Sequence, residues 1–147
     1  MDTRTTLDAE VVGRLRLAVG RLARRLRLDG DRGLPPLQLS TLVTIELHGP
    51  LRLGELAQRE AVAAPTMSRV LAALDERGAV ERRPDPGDAR STLVSVSRAG
   101  LDIIATVRSE RTASLARRLD RLDAGQRGAI LAALPALEAL VAEEVER

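Results

Sequence analysis

The chain of 147 residues contains no Phe, Trp, Tyr or Cys, and no Lys or Asn. The absence of cysteine excludes disulfides, thiolate zinc sites and thiol-based redox sensing. Its one histidine, His48, cannot furnish a multi-histidine metal site. Without lysine there is neither Schiff-base chemistry nor the lysine of a Walker-type phosphate loop. Without aromatic rings there is no platform on which single-stranded bases could stack. No metal or other cofactor is expected, and no convergent acid–base or nucleophile set suggests an enzyme. The missing residues have a plain common cause. Lys, Asn, Phe and Tyr are encoded by A/T-rich codons, whereas the abundant Ala, Arg, Gly and Pro are encoded by G/C-rich ones.

What is present is arginine and aliphatic side chains. All 23 cationic side chains are Arg, set against 21 Asp and Glu, so the formal net charge is only +2. The sequence pI near 10.7 reflects the high pKa of arginine more than a large charge. With 44% apolar and 30% charged residues the chain falls in the soluble globular class. Its length fits one domain, here 1–147. The N-terminus lacks the basic-then-apolar pattern of a secretory signal. The longest apolar run, Ala129 to Leu137, contains Pro135 and is too short to span a bilayer. A cytoplasmic protein with no membrane partner is expected.

Residues 7–28 form an amphipathic helix, with Val11, Leu15, Ala18, Leu22 and Leu26 at steps of three and four. Thr5 to Asp8 matches a capping box at its start. A loop through Asp29–Gly33 leads to a second helix at about 37–48, which His48-Gly49-Pro50 ends, Gly49 suiting a left-handed C-cap. His48 is favoured at that helix end by the dipole. A third helix at about 53–60 and a fourth at about 64–77 follow, the fourth stopped by Gly78. The period then changes to two. Ala79–Arg83, a turn at Asp85-Pro86-Gly87-Asp88 and Ser91–Ser97 read as a hairpin, with Pro and Gly placed for a type II turn. Ser97 caps a long helix to about Asp120, and Asp123-Ala-Gly-Gln126 opens a final one to about Glu146, which Pro135 should kink or break.

Two short helices in tandem followed by a β-hairpin form a winged helix-turn-helix. The fold class is therefore mainly α, with a winged helix-turn-helix lobe at 37–97 between flanking helices at 7–28 and 98–146. The outward face of the fourth helix offers Ala64, Pro65, Thr66, Ser68, Arg69 and Ala72, small and hydrogen-bonding enough to enter a major groove. Asp75 and Glu76 lie late in that helix, away from the expected DNA.

Residues 74–100 resemble the wing region of the MarR family of bacterial transcription regulators, with Asp88-Ala89-Arg90 matching its Asp-x-Arg element. Upstream, Leu53-Gly-Glu-Leu-Ala57 and Pro65-Thr-Met-Ser-Arg69 match the two helices of the family's reading head. The resemblance implies that Pro65, Thr66, Ser68 and Arg69 face the major groove and that Arg90 is the wing arginine at the minor groove. It implies that Asp88 orients the wing by pairing with an arginine. Of Arg82 and Arg83 one should face solvent and one phosphate, and Arg83 is assigned to DNA. Ala63 stands where the family often has a Ser cap, and Ser97 replaces a Thr.

Alone, Arg69 would read as a solvated cation, and Asp88 with Arg90 as a turn salt bridge worth roughly 0–1 kcal/mol. The helix-plus-wing context favours DNA contact. Ile130, Leu131, Leu134, Leu137, Leu140 and Val141 nearly encircle the last helix, which then needs more than one neighbour. A symmetric homodimer on a pseudo-palindromic operator in double-stranded DNA is the simplest solution. The resemblance further implies a repressor released by a small-molecule effector bound between the dimerisation helices and the reading head. The ligand residues are unassigned. The competing reading is a winged-helix module that binds protein without specific DNA binding.

Overall fold

A computed structural model describes residues 8–30 and 33–142. The elements are α1 (Ala9–Asp29), α2 (Pro36–His48), β1 (Leu51–Arg52), α3 (Leu53–Arg59), α4 (Ala64–Glu76), β2 (Val80–Asp85), β3 (Asp88–Val96), α5 (Arg98–Leu119) and α6 (Ala124–Val141). Mainly α with a small antiparallel sheet, this is a winged helix-turn-helix. The chain divides into two compact units between Arg111 and Thr112, within α5.

In the first unit the core is aliphatic throughout. Leu42 and Ile45 of α2, Leu56 of α3, Met67, Leu71 and Leu74 of α4, Val94 of β3 and Ile104 of α5 are all nearly inaccessible. Because Met67, Val70, Leu71 and Leu74 fill one stripe of α4, its remaining face is left to solvent. Arg108 of α5 clamps Glu46 of α2 through two hydrogen bonds of 3.1 and 2.6 Å. α1 begins at Asp8, whose carboxylate accepts the Glu10 N–H at 3.2 Å. The expected capping box at Thr5 lies outside the described residues. No residue of α1 is buried.

The three strands run antiparallel in the order β1-β3-β2. Leu51 pairs with Val94, and the hairpin keeps one register from Val80 opposite Val96 to Pro84 opposite Thr92, after which Asp85 faces Asp88. β1 has no counterpart in the sequence reading, since two residues are too few to show a period. Two glycines act differently from expectation. Gly49 is extended, at φ −74° and ψ 169°, not left-handed. Its need for glycine is space: a Cβ there would lie 2.4 Å from the Ile45 carbonyl oxygen. Gly87 is not at positive φ either, so the Pro86-Gly87 turn is not type II. The pairing shifts register between Pro84 and Asp85, a bulge-like irregularity just before the turn.

The end of α4 and the start of α5 are bound together. Gly78 takes φ +66°, and the Ala79 N–H returns to the Leu74 carbonyl at 2.9 Å in a Schellman closure. Ser97 Oγ donates to the Gly78 carbonyl and accepts the Gly100 N–H at 3.0 Å, acting as the expected cap. Gly100 packs so close that a Cβ would stand 2.1 Å from the Ala79 carbonyl oxygen.

The second unit contains the remainder of α5 and α6. The predicted box forms: Asp123 accepts from the Gln126 N–H at 2.8 Å, and Gln126 accepts from the Asp123 N–H at 3.2 Å. α6 runs unbroken through Pro135, so no break occurs there. None of its residues is buried, and Leu131 and Leu140 are 69% and 75% exposed. The expected continuation to Glu146 lies outside the described residues.

Candidate nucleic-acid interface

α3, a four-residue turn and α4 form the helix-turn-helix. α3 ends in the same closure as α4: the Val62 N–H bonds the Ala57 carbonyl at 3.0 Å and the Ala61 N–H the Gln58 carbonyl at 3.2 Å. The left-handed position is filled by Ala61, at φ +53°, where glycine is usual. Ala63 provides no side-chain cap to α4, and Pro65 sits in its first turn, where a missing N–H leaves no bond unmade. Pro65, Ser68, Arg69 and Ala72 are exposed and Thr66 is half-buried, all on the face opposite the Met67 stripe. Five of the sequence-predicted positions thus form one surface with small side chains around a single guanidinium.

The wing projects beside this surface. Arg83 and Arg90 are exposed and form no ion pair among the described residues. Arg82 differs: its guanidinium lies 2.6 Å from the carboxylate of Asp75. The acidic residue at the end of α4 thus neutralises Arg82, which was expected to face either solvent or phosphate, and leaves Arg83 without an ion pair among the described residues.

Asp88 does not pair with an arginine side chain. Its carboxylate accepts the backbone N–H of Arg90 at 3.0 Å and the hydroxyl of Ser91 at 3.1 Å, which folds the strand after the turn around it. The arginine-paired aspartate is Asp85, three residues earlier. Arg52 donates to it through Nε at 2.6 Å and also through a terminal nitrogen, while the Gly87 N–H reaches the other oxygen at 2.9 Å. The Gly87 N–H and then the Arg52 guanidinium hold the Asp85 carboxyl below the ordinary carboxylate range. Asp85, by its hydrogen bond and charge, raises the pKa of Arg52 in turn. Sequence reasoning missed both residues. The aspartate two positions before Gly87 carried a signal, since such a residue closes an Asx turn, but nothing local announced Arg52. Between α3 and the wing lies an open groove of about 600 Å³ bordered by Arg52, Glu55, Gln58, Arg82 and Arg90.

Residues 34–92, which contain the helix-turn-helix and most of the wing, match the MarR family model. An HTH-type transcriptional regulator of Mycobacterium tuberculosis is 41% identical over 92% of this chain and 96% of its own length. The chain belongs to the MarR family. The HTH-type transcriptional repressor NicR of Pseudomonas putida is 33% identical over 69% of this chain and 64% of NicR. Among solved structures, a transcriptional regulator from Thermotoga maritima superposes with a TM-score of 0.76 at 26% identity, covering 87% of this chain and 94% of its own. This MarR protein is a DNA-binding transcriptional regulator. Those relatives are regulators, not enzymes, by name. Among the described residues no helix is long and apolar enough to cross a membrane.

Proposed function

We propose that the protein is a cytoplasmic, homodimeric repressor that reads a pseudo-palindromic operator with α4 and the wing and is released by a small anionic effector. The observation that carries the DNA contact is the sorting of arginines. Arg52 and Arg82 are neutralised by carboxylates, while Arg69, Arg83 and Arg90 lack such partners among the described residues and are exposed on α4 and the wing. Arg69 and the hydroxyls of Thr66 and Ser68 would address base edges and phosphates from the major groove, with Pro65 permitting close approach. Arg90 would enter the adjacent minor groove, Arg83 would meet phosphate, and Asp88 would hold the backbone of Arg90 in place.

Dimerisation is supported by two helices, α1 and α6, each without a buried residue and each exposing several aliphatic side chains. Two reading heads would then meet half-sites about 34–36 Å apart. Repression is inferred from the similarity to the transcriptional repressor NicR. The effector reading rests on a pocket of about 300 Å³ in the first unit, where Arg27 and Arg111 stand with Ser40, Thr44 and the apolar Leu39 and Val43. The Nε of Arg111 is buried with no hydrogen-bond partner, which favours an anion with an apolar body.

The test is fluorescence anisotropy with the duplex lying upstream of the protein's own gene. Arg69→Ala and Arg90→Ala should each weaken specific binding by about tenfold or more, with the oligomeric state unchanged by size-exclusion chromatography. Parent-like affinity in both variants would show that another surface reads the DNA.

A further inference from the structure

We infer that Glu60 is a positioning residue that couples the Arg27/Arg111 pocket to the reading helix. This rests on the reading of the pocket and of α4 just given. Glu60 is the C-cap of α3 and receives two hydroxyl protons from α2: Ser40 Oγ donates to one carboxylate oxygen at 2.6 Å and Thr44 Oγ1 to the other. Ser40 and Thr44 are one helical turn apart, so both address the same carboxylate. The same two residues also line the pocket.

The next residue after Glu60 is Ala61, held at φ +53°, and α4 begins three residues later without a side-chain cap. A non-glycine residue in the left-handed region persists only where its surroundings hold it. Here it is held by the two closure bonds to Gln58 and Ala57 and by the clamp on the preceding carboxylate. The first turn of α4, which carries Pro65 and Thr66 and leads into Ser68 and Arg69, takes its direction from this turn.

A hydroxyl has one proton to donate. A ligand oxygen that takes the proton of Ser40 or Thr44 takes it from Glu60, and an anion held by Arg27 and Arg111 also repels that carboxylate. The ligand therefore favours the released state of the turn, and DNA favours the clamped one. That differential affinity is what a coupling between two sites requires.

The experiment uses the full chain and needs no ligand. Hydrogen exchange is followed at the amides of Ala61 and Val62, which bond the Gln58 and Ala57 carbonyls, and operator affinity is measured in parallel. The Ser40→Ala/Thr44→Val variant should exchange at least about tenfold faster at these amides and bind the operator about tenfold more weakly. Ser40→Thr/Thr44→Ser, which retains both hydroxyls, should behave as the parent. Glu60→Gln, which keeps only one carbonyl acceptor, should fall between and serves if the double variant does not fold. Exchange unchanged in the double variant overturns the coupling whatever the DNA does. So does faster exchange with parent-like operator binding, in a protein whose Arg69→Ala variant loses the operator. If Arg69→Ala also leaves operator binding intact, the DNA reading fails, and the coupling built on it fails with it.

Discussion

Replacing Arg90 with alanine should flatten the salt dependence of operator binding, and the size of the change follows from the arrangement of charges. Arg69, Arg83 and Arg90 are the exposed arginines of the reading surface without an ion pair among the described residues. If each meets one phosphate, a dimer neutralises about six, and the slope of log K against log salt is about −5.4 at 0.9 per phosphate. Between about 50 and 200 mM salt the parent should then lose roughly 2,000-fold in affinity. Arg90→Ala removes one contact per protomer, leaving about four, a slope near −3.6 and a loss of roughly 150-fold over the same range. Arg82→Ala is the control, because that guanidinium is already held 2.6 Å from Asp75. Its slope should stay within about 0.5 of the parent. Anisotropy titrations on a labelled duplex at four or more salt concentrations give both slopes. A parent-like slope for Arg90→Ala, or an equal flattening by Arg82→Ala, would refute the assignment of free and engaged arginines.

Three further outcomes concern stability and can be read from urea melts at fixed protein concentration. Ala61→Gly should stabilise the fold, since relieving a left-handed alanine returns about 1–2 kcal/mol and the freer unfolded glycine takes back about 0.4–1; a lower midpoint would show that Ala61 is unstrained. Gly100→Ala should cost about 1–3 kcal/mol or more, because its Cβ would meet the Ala79 carbonyl oxygen at 2.1 Å and the Val96 side chain at 2.7 Å; a parent-like midpoint would mean that α5 can shift freely. The Asp85 carboxyl is held below the ordinary range by the Gly87 N–H and Arg52, so its contribution is present above the ordinary carboxylate range and is lost as pH falls through the depressed value. Asp85→Asn should therefore be less stable than the parent at neutral pH, with the gap closing in acid, and a gap that widens in acid would contradict the sign.

The helices were legible because their apolar stripes and stops are local. Met67, Val70, Leu71 and Leu74 announce α4 and its exposed face together, and Gly78 stops it in the conformation that only glycine adopts without strain. The contacts that set the wing and the turn before α4 were not legible, because they join residues remote in sequence. Arg52 and Asp85 are 33 positions apart, and Glu60 lies 20 and 16 from the two hydroxyls that hold it. Charge type alone could not choose between Asp85 and Asp88 as the arginine partner. The structure places Arg52 of β1 against Asp85, at the point where the pairing of β2 and β3 shifts register. The same shift accompanies the failure of Pro86-Gly87 to form the type II turn that its composition favours. Gly49 was legible as a helix stop but not for the right cause, since the Ile45 carbonyl that excludes a Cβ is visible only in the folded helix.

The two helix ends of the reading head use the same closure with different residues, and the difference has a physical meaning. After α4, glycine occupies the left-handed position at φ +66°, and Ser97 and Gly100 tie that corner to α5. Nothing is strained there, and no change in the pocket of Arg27 and Arg111 reaches Gly78 through a described hydrogen bond. After α3, alanine occupies the equivalent position at φ +53°, and the carboxylate before it is held by two hydroxyls that face that pocket. A glycine would have made this corner as relaxed as the other. With alanine, the clamped turn lies nearer in energy to its released form by about the left-handed penalty of 1–2 kcal/mol. That is the size of a typical coupling free energy between two sites. The strain therefore sits at the turn that leads into the reading end of α4, and the turn on its wing side carries none.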